Sequence, residues 1–144
     1  MDNKKMEKIF KNKSERVDGE RGNWQLIYRE RILLVLTDQD HNRMRIFTPV
    51  VEEQDIDAGI MRKMLSANFH SALDAKYSLY NGFVISTFTH PLKELTAEQL
   101  IDAMNQVVTL ADNFGTTYSS TELIFGAEEE EKKINKSPSK EKRS

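Results

Sequence analysis

The sequence contains no cysteine. Without cysteine the chain can form neither a disulfide nor a cysteine-ligated zinc site, and thiol catalysis is excluded. A cysteine-free composition also fits a reducing compartment. No stretch approaches the roughly 20 consecutive apolar residues that span a bilayer, and the start of the chain lacks the apolar region of a signal peptide. We therefore expect a cytoplasmic protein without membrane association.

Motifs for common chemistries are missing as well. The sequence has no GxGxxG, no P-loop and no GxSxG, so dinucleotide, nucleotide and hydrolase functions lose their usual support. Its three histidines, His41, His70 and His90, do not form an i, i+4 pair, and no calcium-loop spacing occurs. We expect no metal and no cofactor.

Charge is unevenly distributed along the chain. Residues 23–126 carry eight basic and thirteen acidic side chains, whereas the two ends are slightly basic. A domain with net negative charge repels a phosphate backbone. We therefore expect no nucleic acid as a partner of the folded part.

The composition divides the chain into three parts. Residues 1–22 are predicted as a short helix, with Met6, Ile9 and Phe10 at helical spacing, followed by a linker. Residues 23–126 are predicted as one α+β domain. Residues 127–144 are rich in Glu, Lys and Ser, a composition that cannot bury enough apolar surface to fold, so they are predicted as a disordered charged tail.

The first half of the domain has the pattern of a three-strand meander at 24–29, 32–37 and 43–51. The third strand alternates, with Met44 and Ile46 on one face and Arg45 and Phe47 on the other. This pattern predicts a sheet with one buried face and one face in water. The unbroken apolar run 32–36 predicts, in contrast, a strand that is covered on both faces.

A helix capped by Asp55 is predicted next. Its apolar positions recur at spacings of three and four, which predicts a buried stripe of Ile56, Ile60, Met61, Met64, Leu65 and Phe69.

The strongest local signal is Asn81-Gly82, which favours a type I′ hairpin joining strands 75–80 and 83–90. In that register Tyr80 faces Phe83, and Leu79 faces Val84.

The last helix begins at the capping box Thr96-Ala97-Glu98-Gln99, and Gly115 is placed for a left-handed cap after its end. Residues 123–125, Leu-Ile-Phe, are then either a short strand or a loop pinned to the core. The predicted element order is α-β-β-β-α-β-β-α.

Two groups of residues are candidates for function. The second sheet face carries four apolar side chains that are either a protein interface or core beneath another element: Phe47, Tyr80, Phe83 and Ile85. A polar group could supply a base, its orienting carboxylate and a second proton carrier, although capping and turn chemistry explain the same residues: Asn68, His70, Asp74 and His90.

Residues 24–126 resemble the type III secretion chaperone-like superfamily, in particular its YbjN-type group of bacterial sensory-transduction regulators. The resemblance is carried by RMRI at 43–46 with PV at 49–50, ANFH at 67–70 with ALDA at 72–75, HPL at 90–92 and NFGTTYSS at 113–120. It implies an antiparallel sheet packed against helices, a homodimer, and a hydrophobic surface that holds a partner protein.

The function predicted from these observations is a non-enzymatic protein-binding module, chaperone-like or a regulatory adaptor, acting as a homodimer. The alternative is a small enzyme or ligand sensor that uses the polar group.

Overall fold

The computed structural model describes residues 1–121. Within them the elements are α1 (Asn3–Lys13), β1 (Arg16–Glu20), β2 (Asn23–Tyr28), β3 (Arg31–Asp38), β4 (Arg43–Glu52), a 3-10 turn (Glu53–Asp55), α2 (Ala58–His70), β5 (Lys76–Tyr80), β6 (Phe83–Pro91) and α3 (Ala97–Asp112). The expectations for 123–125 and for the tail 127–144 lie outside the described residues.

The strands form one antiparallel six-stranded sheet in the order β1-β2-β3-β4-β6-β5. The α+β class predicted from the sequence is confirmed. The predicted hairpin is confirmed too, because Tyr80 pairs with Phe83, and Leu79 with Val84. Asn81 and Gly82 both have positive φ, at 50° and 79°, as a type I′ turn requires.

Strand β1 was not predicted, since the residues that form it were assigned to a linker. It has almost no apolar content, with only Val17 partly buried, and it pairs with β2 through its backbone. Gly19 is essential to this pairing. Its φ is +96°, and a Cβ at that position would lie 2.3 Å from the carbonyl oxygen of Asn23.

One face of the sheet, the inner face, packs against the helices. Helix α1 is longer than the predicted short helix, and it buries Met6 and Phe10 completely. The Phe10 ring meets the Trp24 ring edge-on, with centroids 5.1 Å apart. Each such side chain contributes about 1.5–3 kcal/mol through burial, so α1 is an integral part of the core.

The opposite face, the outer face, is open over much of its area. On β3, Leu33 and Val35 are fully buried, but Ile32 is 51 % exposed and Leu36 is 39 % exposed. The prediction that this strand is covered on both faces is therefore wrong. Its outward side chains are apolar, but they are exposed and do not belong to the buried core.

Helix α2 begins two residues later than predicted. The carboxylate of Asp57, not that of Asp55, accepts a hydrogen bond from the Ile60 N–H at 2.9 Å, because Asp55 ends the 3-10 turn. The predicted buried stripe is also wrong in part. Met64 is buried, whereas Leu65 and Phe69 are 71 % and 75 % exposed.

Helix α3 confirms its predicted start. The Thr96 hydroxyl accepts from the Gln99 N–H, and the Gln99 side chain accepts from the Thr96 N–H, which completes the capping box. The helix lies on β4 and β6 and has eight buried residues. It is the main cover of the inner face.

None of the helices within residues 1–121 is long and apolar enough to cross a lipid bilayer. The same residues contain no group of three or more His, Cys, Asp or Glu side chains placed to hold a metal ion.

Candidate functional site

The outer face brings together the four apolar residues predicted as an interface. Residues of one parity point outward on each strand, and the register places Phe47 opposite Thr87, Ser78 opposite Ile85, and Tyr80 opposite Phe83. We call Phe47, Tyr80, Phe83 and Ile85 the outer-face cluster.

The cluster has two buried and two open members. Phe47 and Ile85 are 8 % and 7 % exposed, whereas Tyr80 and Phe83 are 53 % and 39 % exposed. The Phe47 and Tyr80 rings meet edge-on with centroids 5.6 Å apart. Of the two alternatives, interface or covered core, the exposure of Tyr80 and Phe83 argues against a cluster fully covered by the described residues.

A groove of about 320 Å³ runs beside the cluster, with Phe47, Tyr80 and Ile85 on its walls. Thr87 also lines it, and the Thr87 hydroxyl has no hydrogen-bond partner among the described residues. Leu36 lines the groove from β3. The apolar surface therefore extends over four strands.

The groove continues into a depression of about 520 Å³ that contains Arg43 and Arg45. The Arg45 Nε donates to the Thr89 hydroxyl at 3.1 Å, and an Arg43 N–H donates to the Asn42 carbonyl at 2.8 Å. Within residues 1–121 neither guanidinium has a carboxylate within 4 Å. This end of the groove is cationic, and the single carboxylate lining it, that of Asp38, is held by His41.

Part of this surface was not predicted from the sequence. Leu36 was expected in a strand covered on both faces, and Arg43 and Arg45 were noted for the pattern of β4 and the RMRI segment but not as binding residues. The alternation itself carried the signal, because it places both arginines and Phe47 on one face of β4.

A second apolar surface lies on α2. Leu65 and Phe69 are one helical turn apart on its exposed side, and they are the most exposed of the large hydrophobic side chains in the described chain. The helical spacing predicts both as buried, because Met64 and Leu65 are adjacent and spacing alone does not decide which of them faces the sheet.

Asn68, the first of the predicted polar group, has a structural role. Its Oδ1 accepts from the Tyr77 N–H at 2.8 Å and its Nδ2 donates to the Tyr77 carbonyl at 3.1 Å. Strand β5 is at the edge of the sheet, so these two bonds replace the bonds of a further strand. Asn68 thus caps the edge.

Asp74 accepts a hydrogen bond from Gln106 Nε2 at 2.9 Å, and the same nitrogen donates to Asp102 at 2.8 Å. The Gln106 Oε1 accepts from the N–H groups of Asp74 and Ala75, at 2.9 and 3.2 Å. Gln106 is 1 % exposed. This buried glutamine, which the sequence analysis did not single out, fixes Asp74 at the turn before β5.

The two histidines of the polar group lie in different surroundings. The His90 ring stacks on the Phe88 ring at 5.7 Å, with Nδ1 2.8 Å from the Pro91 carbonyl. The His70 ring meets the Phe69 ring edge-on at 4.9 Å. Asp74 and His90 line a common cavity of about 360 Å³, whose lining does not include Asn68 or His70. The structure therefore brings two of the four together.

No family model and no curated protein sequence matches the chain. Solved structures do match. The ExsC-ExsE complex contains a chain with TM-score 0.58 and 17 % identity, and the match covers 78 % of this chain and 92 % of that one.

The HopA1-SchA chaperone-effector complex gives TM-score 0.59 and 12 % identity, with coverage of 78 % and 94 %. The Yersinia pestis type III secretion chaperone SycH, in complex with a stable fragment of YscM2, gives TM-score 0.59 and 12 % identity, with coverage of 78 % and 98 %. At these identities the comparisons show the fold, and that fold is the one found in type III secretion chaperones.

Proposed function

We propose that this protein is a non-enzymatic protein-binding module, chaperone-like or a regulatory adaptor, which acts as a homodimer in the cytoplasm and is related to the YbjN-type group. One observation carries the proposal: the outer-face cluster, with Tyr80 and Phe83 exposed beside a groove. Aromatic side chains that are half in water beside a concave surface are typical of protein interfaces.

The similar folds support a protein as the ligand. Two of the three structures are a chaperone with an effector and a chaperone with a fragment of another protein. The groove of this chain offers an apolar floor and a cationic end, which suits an extended segment better than a small molecule.

For the homodimer we propose the exposed side of α2. Leu65 and Phe69 lie on a different element from the outer-face cluster, so a dimer through α2 leaves the groove available. Burying two such side chains contributes about 3–6 kcal/mol before the cost of association is subtracted.

The alternative, a small enzyme or ligand sensor, has less support. Asn68 uses both its amide oxygen and its amide nitrogen at the edge of β5, and one carboxylate oxygen of Asp74 accepts from Gln106. Only Asp74 and His90 share a cavity.

Affinity capture from the native cells tests the binding surface. We expect proteins captured by the wild type to be lost with Tyr80→Ala/Phe83→Ala and retained with the control Gln25→Ala/Glu98→Ala, at exposed positions on β2 and α3 outside both proposed surfaces. Both pairs truncate exposed side chains, so neither is expected to unfold the chain. Identical sets of captured proteins for all three forms would refute the proposed surface.

Light scattering tests the dimer. We expect Leu65→Asp/Phe69→Asp to be monomeric at micromolar concentration and Tyr80→Asp/Phe83→Asp to remain dimeric. A monomeric wild type at that concentration would refute the homodimer. Loss of the dimer only with the second variant would place the dimer contact on the outer face instead of α2.

A further inference from the structure

The groove on the outer face follows β4 and β6, and its side chains are regularly spaced. Successive outward residues of β4 are two positions apart, and each has a partner on β6. From the apolar to the cationic end the pairs are Pro49 with Ile85, Phe47 with Thr87, Arg45 with Thr89, and Arg43 with Pro91. Neighbouring pairs lie about 6.8 Å apart along the strands. The groove and the depression share Arg45 and Thr89 in their linings, so the two form one continuous surface.

The two arginines at the cationic end have hydrogen-bonding capacity left. The Arg45 Nε donates to the Thr89 hydroxyl, and its two terminal nitrogens donate no hydrogen bond within residues 1–121. Arg43 donates from one nitrogen to the Asn42 carbonyl. A guanidinium has five N–H donors and binds a carboxylate with two of them. Both arginine side chains are exposed, so a carboxylate of a ligand can reach them.

The carboxylate of Asp38, which also lines this end, is already bonded. It accepts from the His41 backbone N–H at 3.1 Å, and its second oxygen lies 2.8 Å from the His41 ring Nδ1. It forms no ion pair with Arg43 or Arg45. Two guanidinium groups therefore face this end of the groove with one committed carboxylate beside them, and a ligand that brings carboxylates complements the remaining positive charge.

An extended peptide repeats its side chains at the spacing of the groove. Residues i, i+2 and i+4 of a strand point to one side, about 6.8 Å apart. We propose that the protein partner binds through an extended segment with the pattern apolar-x-apolar-x-acidic-x-acidic. The apolar side chains pack at the levels of Ile85 and Phe47. The carboxylates then pair with Arg45 and Arg43. This inference rests on the proposed function, because it names the sequence that the same surface recognises.

The two halves of the groove contribute differently. In the apolar half, Phe47 and Ile85 are buried, while Tyr80 and Leu36 line the groove from the adjacent strands and are exposed. Apolar side chains of a ligand gain affinity there, but such contacts tolerate a shift along the groove. The arginines lie at fixed positions, so pairing with them selects one register.

Fluorescence anisotropy with labelled peptides, blocked at both ends, and the full-length protein tests the spacing. The test peptide is Phe-Thr-Leu-Thr-Asp-Thr-Asp. Its control, Phe-Thr-Leu-Asp-Thr-Asp-Thr, has the same composition, but both aspartates point to the opposite side of the strand. Because a strand can lie in either direction, both peptides are also made in reverse order.

We expect the test peptide to bind at least about tenfold more tightly than its control in one of the two directions. This ratio corresponds to about 1.4 kcal/mol for two exposed ion pairs together. Equal affinities of test and control peptides in both directions would overturn the proposal.

Variants of the protein identify the residues that read the spacing. With Arg43→Gln/Arg45→Gln we expect test and control peptides to bind equally, to within about twofold. The matched control Lys4→Gln/Lys11→Gln removes the same charge from α1, on the other face of the sheet, and should keep the preference. All four side chains are exposed, so neither variant is expected to unfold the chain. A preference that persists in the arginine variant would overturn the assignment.

Charge reversal separates ion pairing from an indirect effect on the fold. The variant Arg43→Glu/Arg45→Glu should prefer the spaced peptide over the shifted one when lysine replaces both aspartates. In the wild type the preference should fall towards equality at 1 M salt, where the Debye length is about 3 Å. A preference for the aspartate peptide that does not change with salt would refute the pairing.

The two proposals fail differently. Captured proteins that are lost with Tyr80→Ala/Phe83→Ala but retained with Arg43→Gln/Arg45→Gln, together with equal peptide affinities, would remove the spacing rule and leave the protein-binding function intact. Retention with Tyr80→Ala/Phe83→Ala would refute the proposed function itself. If no peptide binds and Tyr80→Asp/Phe83→Asp is monomeric, the occupant of the groove is a second copy of the chain, and the proposal is overturned.

Discussion

Replacing Gln106 by methionine is the most informative perturbation of the fold, because this residue joins α3 to the turn before β5. Its Oε1 accepts from two backbone N–H groups, those of Asp74 and Ala75, and its Nε2 donates to the carboxylates of Asp74 and Asp102. Methionine matches glutamine in length and helix propensity, so the change removes hydrogen bonds with little change in volume.

The magnitude follows from burial. Ala75 is fully buried, so its N–H would lose its acceptor without access to water, at a cost of about 1–3 kcal/mol. The Asp74 N–H is only partly buried and can recover some of its loss from solvent. We expect Gln106→Met to lower the free energy of unfolding by about 2–4 kcal/mol.

Urea unfolding followed by Trp24 fluorescence measures this, since Trp24 is the single tryptophan and is fully buried. With an m-value of about 1.5–2 kcal/mol/M, the midpoint should fall by about 1–3 M. The matched control is Gln25→Met, an exposed position on β2, which should stay within about 0.5 kcal/mol of the wild type. A Gln106→Met midpoint as close to the wild type as that of the control would refute the reasoning.

Gln106→Glu separates the acceptor role from the donor role. A carboxylate still accepts from both N–H groups, but it places a third negative charge beside Asp74 and Asp102, and this raises the pKa of the new carboxyl in the folded state. A carboxyl whose pKa is higher in the folded state does not change the unfolding free energy below its unfolded pKa of about 4.3. Above its folded pKa it lowers the unfolding free energy by the full amount. The deficit relative to the wild type should therefore grow from pH 4 to pH 7, and a deficit that shrinks would contradict this.

Three further changes test single features. Asn68→Leu should lower the free energy of unfolding by about 1–3 kcal/mol, because the Tyr77 N–H loses its acceptor, and amide hydrogen exchange at Tyr77 should become faster. An unchanged exchange rate at Tyr77 would argue against the role of Asn68 in capping the edge of β5. Burial raises the pKa of Tyr77, so the free energy of unfolding of the wild type should fall above pH 10. Tyr77→Phe lacks the bond to the Leu110 carbonyl and should be less stable by roughly 1 kcal/mol at neutral pH, a difference that should narrow above pH 10. A difference in unfolding free energy that stays constant with pH in urea titrations would contradict this. Thr96→Ala should cost about 1 kcal/mol of unfolding free energy in urea, and Thr96→Ser much less; equal losses would refute the role of the capping hydroxyl towards Gln99.

Local signals predicted those parts of the fold in which neighbouring residues decide the conformation. The type I′ turn at Asn81-Gly82 and the capping box at Thr96 are examples, since both depend on a few adjacent residues. Strand β1 could not be predicted in this way. It is held by backbone pairing to β2, and its side chains carry almost no pattern.

In the candidate site, too, the parts predicted correctly are those that depend on local sequence patterns. Alternation in β4 and the hairpin register placed the outer-face cluster on one face, because both depend on local periodicity. The polar group was predicted from residue types alone, and Gln106, 32 residues from Asp74, decides what Asp74 does. A contact at that sequence distance leaves no local trace.

The edges of the sheet bear on how a partner would be recognised. Strand addition needs unpaired backbone groups at an edge. At β5 the Asn68 amide occupies those of Tyr77, and at β1 the edge is five residues long and carries Arg16, Asp18 and Glu20, with Arg16 paired to Asp18 at 2.7 Å. Short, charged edges disfavour pairing with another strand. The surface that stays open is the outer face, so recognition there would depend on the side chains of the partner and on charge.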